Sequence, residues 1–452
     1  AVHAALQTDR GDEGVDFADS VNRCLFVFGL RRDSEKLTEA AGKAGNAIGS
    51  QAWFLSQSNK GEQLRGNGQP AAAAQIFADI LTGLEETPNH NRCLTLGRLG
   101  RCSQAQGQPT QAEDLYQQAL AEIIQLKQSE QVRRQTGAFQ TDLADVLADQ
   151  GKYSQAKAAY QASLDIKAEI DDVRGRAVVT GQLGTLAWRR GELAEAEERY
   201  KEALSLFQRI NEPVMEAVAW HQLGVVYQQA KQWEAAEQAY RQAARLKEEQ
   251  GMLGGMNGAG TDWNQLAQVC KATGRLPEAE QWYGKALKVR RATNDRPGMA
   301  ITLNNLASLL ADDPARSDEA RAYAEEGVVI SETLDPAAMQ IWTTYNLLAR
   351  IATKQGENSQ AAAYRAKSRQ VYLAFPAWRQ GLLEHEKLIA AVVQGGDVEA
   401  ALAPYNDTWA NLKAAIQCIL NGERNEATLS EPLDWQDAAV IHAILEGIDE
   451  TR

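Results

Sequence analysis

The chain has 452 residues, of which 44% are apolar, 24% are charged and 7% are aromatic, as in globular proteins rather than disordered or fibrous ones. Its 47 Lys and Arg residues against 60 Asp and Glu residues give a net charge of −13, which argues against a nucleic-acid or anionic-membrane partner. No apolar run approaches the roughly 18 residues that cross a bilayer. The five Cys form no CxxC pair, so we expect a reducing, cytoplasmic compartment.

The first 85 residues are predicted to form a helical but irregular N-terminal region. They begin at Ala1 with neither an initiator Met nor a basic-then-apolar signal peptide, as expected for a fragment of a longer chain. Within this region, the Ala-rich segment 68–77 looks like the second half of a degenerate repeat. We therefore expect residues 1–85 to contain one such repeat ahead of the regular array.

Residues 86–372 contain a sequence that recurs seven times, with a period of about 41 residues. Its most regular feature is a Leu followed by a small residue. These pairs are Leu99-Gly100, Leu143-Ala144, Leu183-Gly184, Leu223-Gly224, Leu266-Ala267, Leu306-Ala307 and Leu348-Ala349. Eight residues after each Leu comes a turn residue, which is Gly in five units, Lys231 in the fourth and Pro314 in the sixth.

Alanine and tyrosine follow each turn at helical spacing. In the third unit, for example, Ala196, Tyr200 and Ala203 share one face of a helix, and charged residues fill the opposite face. The turn Gly supplies the positive φ that ends one helix and starts the next. No segment shows the sustained alternation typical of strands. The sequence therefore predicts an all-α fold of stacked helix pairs, with a first and a second helix in each unit.

This pattern of a Leu-Gly or Leu-Ala pair, a turn Gly, and Ala and Tyr at fixed offsets resembles the tetratricopeptide repeat (TPR). The period is longer than the usual 34 residues and is similar to that of kinesin light chains and of the effector domain of the bacterial maltose-regulon activator. The segment Ala300–Ala307 looks most like the kinesin-light-chain version. The resemblance implies a right-handed α-solenoid, a superhelix whose concave surface is lined by the first helices.

Residues 373–452 are predicted to form another degenerate repeat and a helical C-terminal cap. Trp409, Leu412 and Ile416 have the spacing of one helical face, and a last helix is predicted from about Asp434. Atypical ends are expected, because a terminal unit must present one face to water. This tail is similar to the C-terminal ends of large bacterial signalling proteins that fuse an ATPase or protease domain to such repeats, which implies an effector domain upstream of Ala1.

No motif indicates catalysis or metal binding. The sequence has no Walker-A motif, no HExxH and no GxSxG. The Gly-rich stretch 251–260 follows a predicted helix rather than a strand, and we predict a flexible loop between two repeats there. We therefore expect that the chain is not an enzyme and that it has no catalytic residues, no metal and no cofactor.

Amide side chains recur immediately before the repeat Leu in the third to sixth units, and one position earlier in the fifth to seventh units. The TPR resemblance implies that the residue before this Leu, and the one before that, face the concave groove. We call the set formed by these amides and one histidine the amide ladder: Gln182, His221, Gln222, Asn264, Gln265, Asn304, Asn305 and Asn346. An amide both donates and accepts, so it can pair with a peptide backbone whatever the peptide's side chains. Kinesin-light-chain repeats use asparagines at this place to hold extended peptides, which supports the same role here.

A second interpretation of the amide ladder stays open. Asn and Gln can also hydrogen-bond between neighbouring first helices and brace the stack. Trp188, at the end of a first helix in the same unit as Gln182, is likewise either an aromatic anchor for a partner or a packing residue.

The expected function is that of a partner-recognition module, which binds a peptide or protein on its concave face and forms the regulatory part of a larger protein. One alternative is a self-assembling structural homo-oligomer, joined through aromatic residues near the C-terminus. These residues are Phe375, Trp378, Trp409 and Trp435. Another alternative is a sensor of an oligosaccharide-like ligand, as in the maltose-regulon activator. The aromatic platforms for that ligand are Trp188, Trp220 and Trp263.

Overall fold

The computed structural model describes residues 48–249, 251, 253–334, 339–375, 378–405 and 409–450, together with Val21, Asp33, Lys36 and Leu37. All regular elements of these residues are helices, which confirms the all-α class. Most of the predicted N-terminal region before residue 48 lies outside them, and the predicted boundaries of the three regions stay a prediction. The chain divides into two compact units, Ala1–Val226 and Tyr227–Arg452.

The helices of the first unit begin with a pair that precedes the regular array. They are α1 (Gln51–Gly66), α2 (Pro70–Gly83), α3 (His90–Ala105), α4 (Pro109–Ile123), α5 (Glu130–Asp149), α6 (Tyr153–Glu169), α7 (Val173–Arg189) and α8 (Leu193–Arg209). The division between the two units falls within α9 (Pro213–Gln229).

The second unit continues the array and adds a set of C-terminal helices. Its helices are α10 (Trp233–Glu249), α11 (Leu253–Ala272), α12 (Leu276–Ala292), α13 (Arg296–Leu310), α14 (Ser317–Ser331), α15 (Ile341–Lys354), α16 (Asn358–Leu373), α17 (Glu386–Gln394), α18 (Val398–Leu402), α19 (Ala410–Leu420), α20 (Glu426–Ser430) and α21 (Trp435–Glu450). The odd-numbered helices α3 to α15 carry the repeat Leu and are the first helices, and the even-numbered helices α4 to α16 are the second helices.

The small residue after the repeat Leu lies against the repeat Tyr. A Cβ atom on Gly100 would lie 2.8 Å from the ring of Tyr116, and one on Gly184 would lie 3.0 Å from the ring of Tyr200. Both tyrosines are buried. A larger side chain at the glycine would overlap the ring, so the small residue sets how closely the two helices of a pair approach.

The turn after each first helix depends on a left-handed backbone conformation. The glycines at this position have φ values between 70° and 79°, and they are Gly107, Gly151, Gly191, Gly274 and Gly356. Lys231 occupies the same position with a φ of 58°. Pro314 cannot take a positive φ, because its ring holds φ near −65°, and the chain forms a 3₁₀ helix there, Pro314–Arg316.

Lys231 offers a direct test of this requirement. A side chain with a Cβ atom in the left-handed region is unfavourable by roughly 1–2 kcal/mol, and glycine avoids this at a smaller entropic cost. We expect Lys231→Gly to raise the free energy of unfolding by about 0.5–1 kcal/mol, measured by urea denaturation. The reverse change at the equivalent turn, Gly191→Lys, serves as the control and should lower the free energy. An unchanged midpoint for both variants would contradict this account.

The predicted loop across the Gly-rich stretch 251–260 is wrong, because α11 begins at Leu253 and includes most of it. Packing explains the difference. A Cβ atom on Gly258 would lie 3.0 Å from the stem of Lys247, and one on Gly260 would lie 3.5 Å from Nε of Arg290. The glycines let these long side chains pass close to the helix, so tertiary contacts outweigh the low helix propensity of glycine.

The C-terminal helices pack around an apolar cluster that includes Ile416 and Ile441. The observed last helix starts at Trp435, one residue after Asp434. The aromatic residues predicted for an oligomer interface pack against this cluster and are half-buried: Phe375, Trp378, Trp409 and Trp435. They have a role inside the fold, which removes the main support for the structural-oligomer alternative.

Candidate functional site

The predicted site residues all lie on first helices. Gln182 and Trp188 are on α7, His221 and Gln222 on α9, Asn264 and Gln265 on α11, Asn304 and Asn305 on α13, and Asn346 on α15. Asn264 is buried and the other members are half-buried. Apart from Asn264, the side chains are thus neither free on the surface nor fully enclosed, and their contacts differ between the two units.

In the second unit, part of the amide ladder braces neighbouring repeats. Nδ2 of Asn305 donates to Oδ1 of Asn264 over 3.1 Å, across a sequence separation of one repeat. Nearby, Gln265 Oε1 and Asn304 Oδ1 are enclosed and accept no hydrogen bond from the described residues. The bracing interpretation therefore holds for the pair Asn264–Asn305. The side-chain oxygens of Gln265 and Asn304 have no donor among the described residues.

The first unit contains a polar cavity of about 200 Å³ beside Gln182. Its walls come mainly from the first helices of three successive repeats, α3, α5 and α7, with Tyr160 from α6. The lining residues are Gln104, Asp145, Ala148, Asp149, Tyr160, Gln182, Thr185, Leu186 and Arg189. We call it the Asp145 cavity. Seven of these nine side chains are polar, in contrast to the apolar contacts between the helices of a pair.

Two of the three carboxylates on this side of α5 have a cationic partner. Asp142 accepts from Nη2 of Arg101 over 2.8 Å, and Asp149 accepts from Nη1 of Arg189 over 2.9 Å. No Lys or Arg of the described residues forms an ion pair with Asp145, whose Oδ1 accepts a hydrogen bond from the Tyr160 hydroxyl. Burial, more than the neighbouring carboxylates, raises the pKa of Asp145 to about 6.

The repeat tyrosines do more than pack, because their hydroxyls reach the first helices. Tyr160 donates to Asp145, and the hydroxyls of Tyr200 and Thr185 lie 2.9 Å apart. In the second unit, Tyr240 donates to Oε1 of Gln228 over 2.8 Å. The second helices therefore contribute polar atoms to the surface formed by the first helices.

The tryptophans do not form ligand platforms of the expected kind. Trp263 is 1% exposed and cannot stack on a ligand. Trp220 is half-buried, and its indole N–H donates to Glu216 on the same helix over 3.4 Å. The indole nitrogen of Trp188 is enclosed and makes no hydrogen bond with the described residues. The structure thus favours packing over ligand stacking, and it weakens the oligosaccharide alternative.

The second unit also presents basic groups along its first helices. Lys271 Nζ donates to Oγ of Ser308 over 3.1 Å. Burial, assisted by the charge of Arg350, lowers the pKa of this lysine. Among the described residues Arg350 has no ion-pair partner, and Lys354 pairs with Asp312 over 2.5 Å. Lys271, Arg350 and Lys354 thus form a basic group on the first helices α11 and α15 of the second unit.

Neither a metal centre nor a membrane span is present in the described part of the chain. No group of three or more His, Cys, Asp and Glu side chains there is arranged to hold a metal ion. None of its helices is both long and apolar enough to cross a bilayer.

Comparison with known proteins identifies the family. The profile of the tetratricopeptide repeat matches residues 53–121, 135–209, 175–249 and 260–333, which make up more than half of the 452 residues. The chain belongs to the tetratricopeptide-repeat family. The matches confirm the TPR resemblance, and the first of them includes helices of the pair α1 and α2. None of the curated proteins matches this TPR chain.

Solved structures that match this chain with TM-scores above 0.5 share the TPR fold. The quorum sensor NprR from B. thuringiensis, in its apo form, is 12% identical with a TM-score of 0.54, covering 80% of this chain and 99% of that one. A STAND protein with a tetratricopeptide repeat sensor from Pyrococcus horikoshii is 13% identical with a TM-score of 0.54, covering 73% of this chain and 52% of that one. A structure from Podosopora anserina, described as nearly identical TPR-like repeats of a kinesin light chain, is 20% identical with a TM-score of 0.39. It covers 44% of this chain and 96% of that one.

The sequence analysis missed the residues two positions after the repeat Leu. In chain order they are Arg101, Asp145, Thr185, Val225, Gln268, Ser308 and Arg350. Asp145 and Thr185 line the cavity, and Ser308 contacts Lys271. The repeats of this TPR array did contain a signal that these positions differ from the packing positions. The residue at this position changes from every unit to the next, whereas the repeat Leu recurs in all seven units.

Proposed function

We propose that this TPR chain is a protein-interaction module that binds an extended peptide, or an extended segment of a partner protein, along its first helices. The Asp145 cavity carries the proposal. Packing two helices of a repeat needs Leu, Ala and Tyr, and it does not need seven polar side chains around a cavity. Polar groups held at a half-buried surface are typical of a site that fixes the orientation of a ligand.

The proposal divides the amide ladder between two roles. Asn264 and Asn305 brace their repeats, because they bond to one another. Gln182 lines the cavity, and Gln222 makes no side-chain hydrogen bond within the described residues of its unit, so both keep amide groups for a peptide backbone. Gln265, Asn304, Asn346 and His221 are proposed to extend this contact surface, with Trp188 as a packing residue beside it.

The same proposal makes the chain a cytoplasmic regulatory or sensing part of a larger signalling protein rather than an enzyme. Structures of similar fold are described as a quorum sensor and as a tetratricopeptide repeat sensor of a STAND protein. At 12–13% identity, the likeness to these structures supports the fold alone. The sensing role is extended to this chain as part of the proposal.

Selection from a library of displayed peptides tests this function. Three first helices, each about 10 Å wide, present a surface about 30 Å across, which about nine extended residues span, and this sets the length of the peptides. We expect the wild-type chain to enrich a family of nonapeptides. Gln182→Ala combined with Gln222→Ala should weaken binding of the best peptide by at least about tenfold, while stability changes by less than about 0.5 kcal/mol.

Two further variants separate binding from bracing. Asn305→Ala leaves Oδ1 of buried Asn264 without its donor, so we expect a loss of about 1–2 kcal/mol of stability with a smaller effect on peptide affinity. Gln161→Ala, on the exposed face of the second helix α6, should change neither quantity. Failure of the wild-type chain to enrich any peptide, or equal affinity in the double variant, would contradict the proposed function.

A further inference from the structure

The Asp145 cavity contains a carboxylate that forms no ion pair with a Lys or Arg of the described residues, although Arg189, paired with Asp149, lies near enough to favour its charge. Asp142 and Asp149, one helical turn to either side, are each paired with an arginine, and Asp145 is paired with neither arginine. Its only hydrogen bond among the described residues comes from the neutral hydroxyl of Tyr160. A half-buried carboxylate without a counter-ion is an unfavourable arrangement for the protein alone. A ligand with a positive charge would relieve it.

The neighbouring side chains indicate what shape of cation the cavity accepts. Gln182 and Thr185 line the same cavity, so an amide and a hydroxyl that can accept hydrogen bonds lie near the carboxylate, and the guanidinium of Arg189, which also lines it, is paired with Asp149. An ammonium group has three donors that point in different directions, which suits separate acceptors. A guanidinium group favours two parallel bonds to one carboxylate. Oδ1 of Asp145 already accepts from the Tyr160 hydroxyl, so Asp145 does not offer both of its oxygens to a guanidinium group.

We propose that the Asp145 cavity binds the side chain of a lysine of the bound peptide, with the ammonium group donating to Asp145. This inference rests on the proposed function and adds the chemical class of residue that the partner must contain. The lysine stem would lie along Ala148 and Leu186, the two apolar residues of the lining. Arg101 and Arg189 do not replace the ligand, since each is already paired with another carboxylate.

Peptide selection with wild type and Asp145→Asn tests the assignment. Asn keeps the size of the side chain and an oxygen for the Tyr160 hydroxyl, and it removes the charge. We expect lysine to be enriched at one position by at least about fivefold over arginine with the wild type, and this preference to be lost with Asp145→Asn. Asp165→Asn removes the same charge from the exposed face of α6 and should keep the lysine preference.

A synthetic series of the best peptide makes the test independent of any protein variant. Isothermal titration calorimetry on the wild-type chain compares lysine with norleucine, with arginine and with an acetylated amino terminus. Norleucine should weaken binding by at least about thirtyfold, arginine should weaken it, and acetylation of the amino terminus should have no effect. A large effect of acetylation would overturn the assignment to a lysine side chain and give the cavity to the amino terminus.

The outcomes distinguish this inference from the proposed function. If neither protein enriches peptides, the proposed function fails and the lysine assignment fails with it. If peptides are enriched without a lysine preference, or if Asp145→Asn retains that preference, the cavity assignment is overturned and peptide binding by the first helices stands.

Discussion

Replacement of Gly97 by Ala is expected to lower the free energy of unfolding by about 2–3 kcal/mol, as overpacking of a well-packed core does at the upper end of its range. Gly97 lies on α3, where a Cβ atom would come within 2.2 Å of Cε1 of Phe139 on α5. Phe139 is 1% exposed, and in a closely packed interior its ring moves only by displacing other side chains. The contact joins two successive repeats, so the substitution pushes apart neighbouring units of the stack. Urea denaturation followed by circular dichroism measures the loss.

Gly181→Ala is the matched control for Gly97→Ala. Gly181 also lies inside a first helix of the first unit, but the nearest atom to its added Cβ would be the Cβ of Ala203 at 3.9 Å, an ordinary contact. Because alanine favours helix over glycine, this variant should be more stable by up to about 1 kcal/mol. Equal effects of the two substitutions would show that helix propensity, rather than the spacing of repeats, controls stability at these positions.

Asp145→Asn is expected to stabilise the chain at pH 7 by about 1–2 kcal/mol, with no gain at pH 4. The folded protein holds the pKa of Asp145 at about 6, whereas the ordinary value is 3.8. A carboxyl with a raised pKa in the folded state stabilises the fold while it is protonated, and that contribution is lost as the pH rises through about 6. Asn does not titrate, so the difference between the two proteins grows from pH 4 to pH 7.

The groups around Asp145 are the same in both proteins, which isolates the effect of its charge. Asp142 and Asp149 lie on the same helix, Tyr160 on α6 and Arg189 on α7. The difference between the unfolding free energies of variant and wild type, measured at intervals from pH 4 to pH 7.5, therefore reports on Asp145. A difference that does not change with pH would contradict the raised pKa, and a less stable variant at pH 7 would contradict the claim that the carboxylate is uncompensated.

The sequence was sufficient to predict the repeat because steric requirements recur in every unit. Gly184 is small because Tyr200 lies against it, and Gly191 is a glycine because its φ is positive. Such constraints are local and repeat with the period, so they are visible without a structure. The stretch 251–260 was predicted wrongly for the complementary reason. Its glycines lie against the side chains of Lys247 and Arg290, which belong to other helices. A local sequence pattern does not show such contacts.

The candidate site was only partly predictable, because residue type alone does not reveal which partner a polar group has. Asn264 and Gln182 occupy nearby positions in the repeat, yet one is buried in a bond to Asn305 and the other lines a cavity. Tyr160 is one of the repeat tyrosines that the pattern places on one helical face, and its ring does pack in an apolar cluster, but its hydroxyl bonds to Asp145. The cavity depends on side chains from four helices, and only the folded chain brings them together.

The row of residues two positions after the repeat Leu has a consequence for engineering. Consensus design, which assigns to each position the residue most common among the units, retains the Leu, Gly, Ala and Tyr rows that build the stack. It would erase the row that contains Asp145 and Thr185, where the units disagree. If the first helices bind a peptide as proposed, an averaged version of this array would be a more stable scaffold that no longer distinguishes between peptides. On the same proposal, introducing that single row into a consensus array is the smallest change expected to transfer the peptide preference to a new protein.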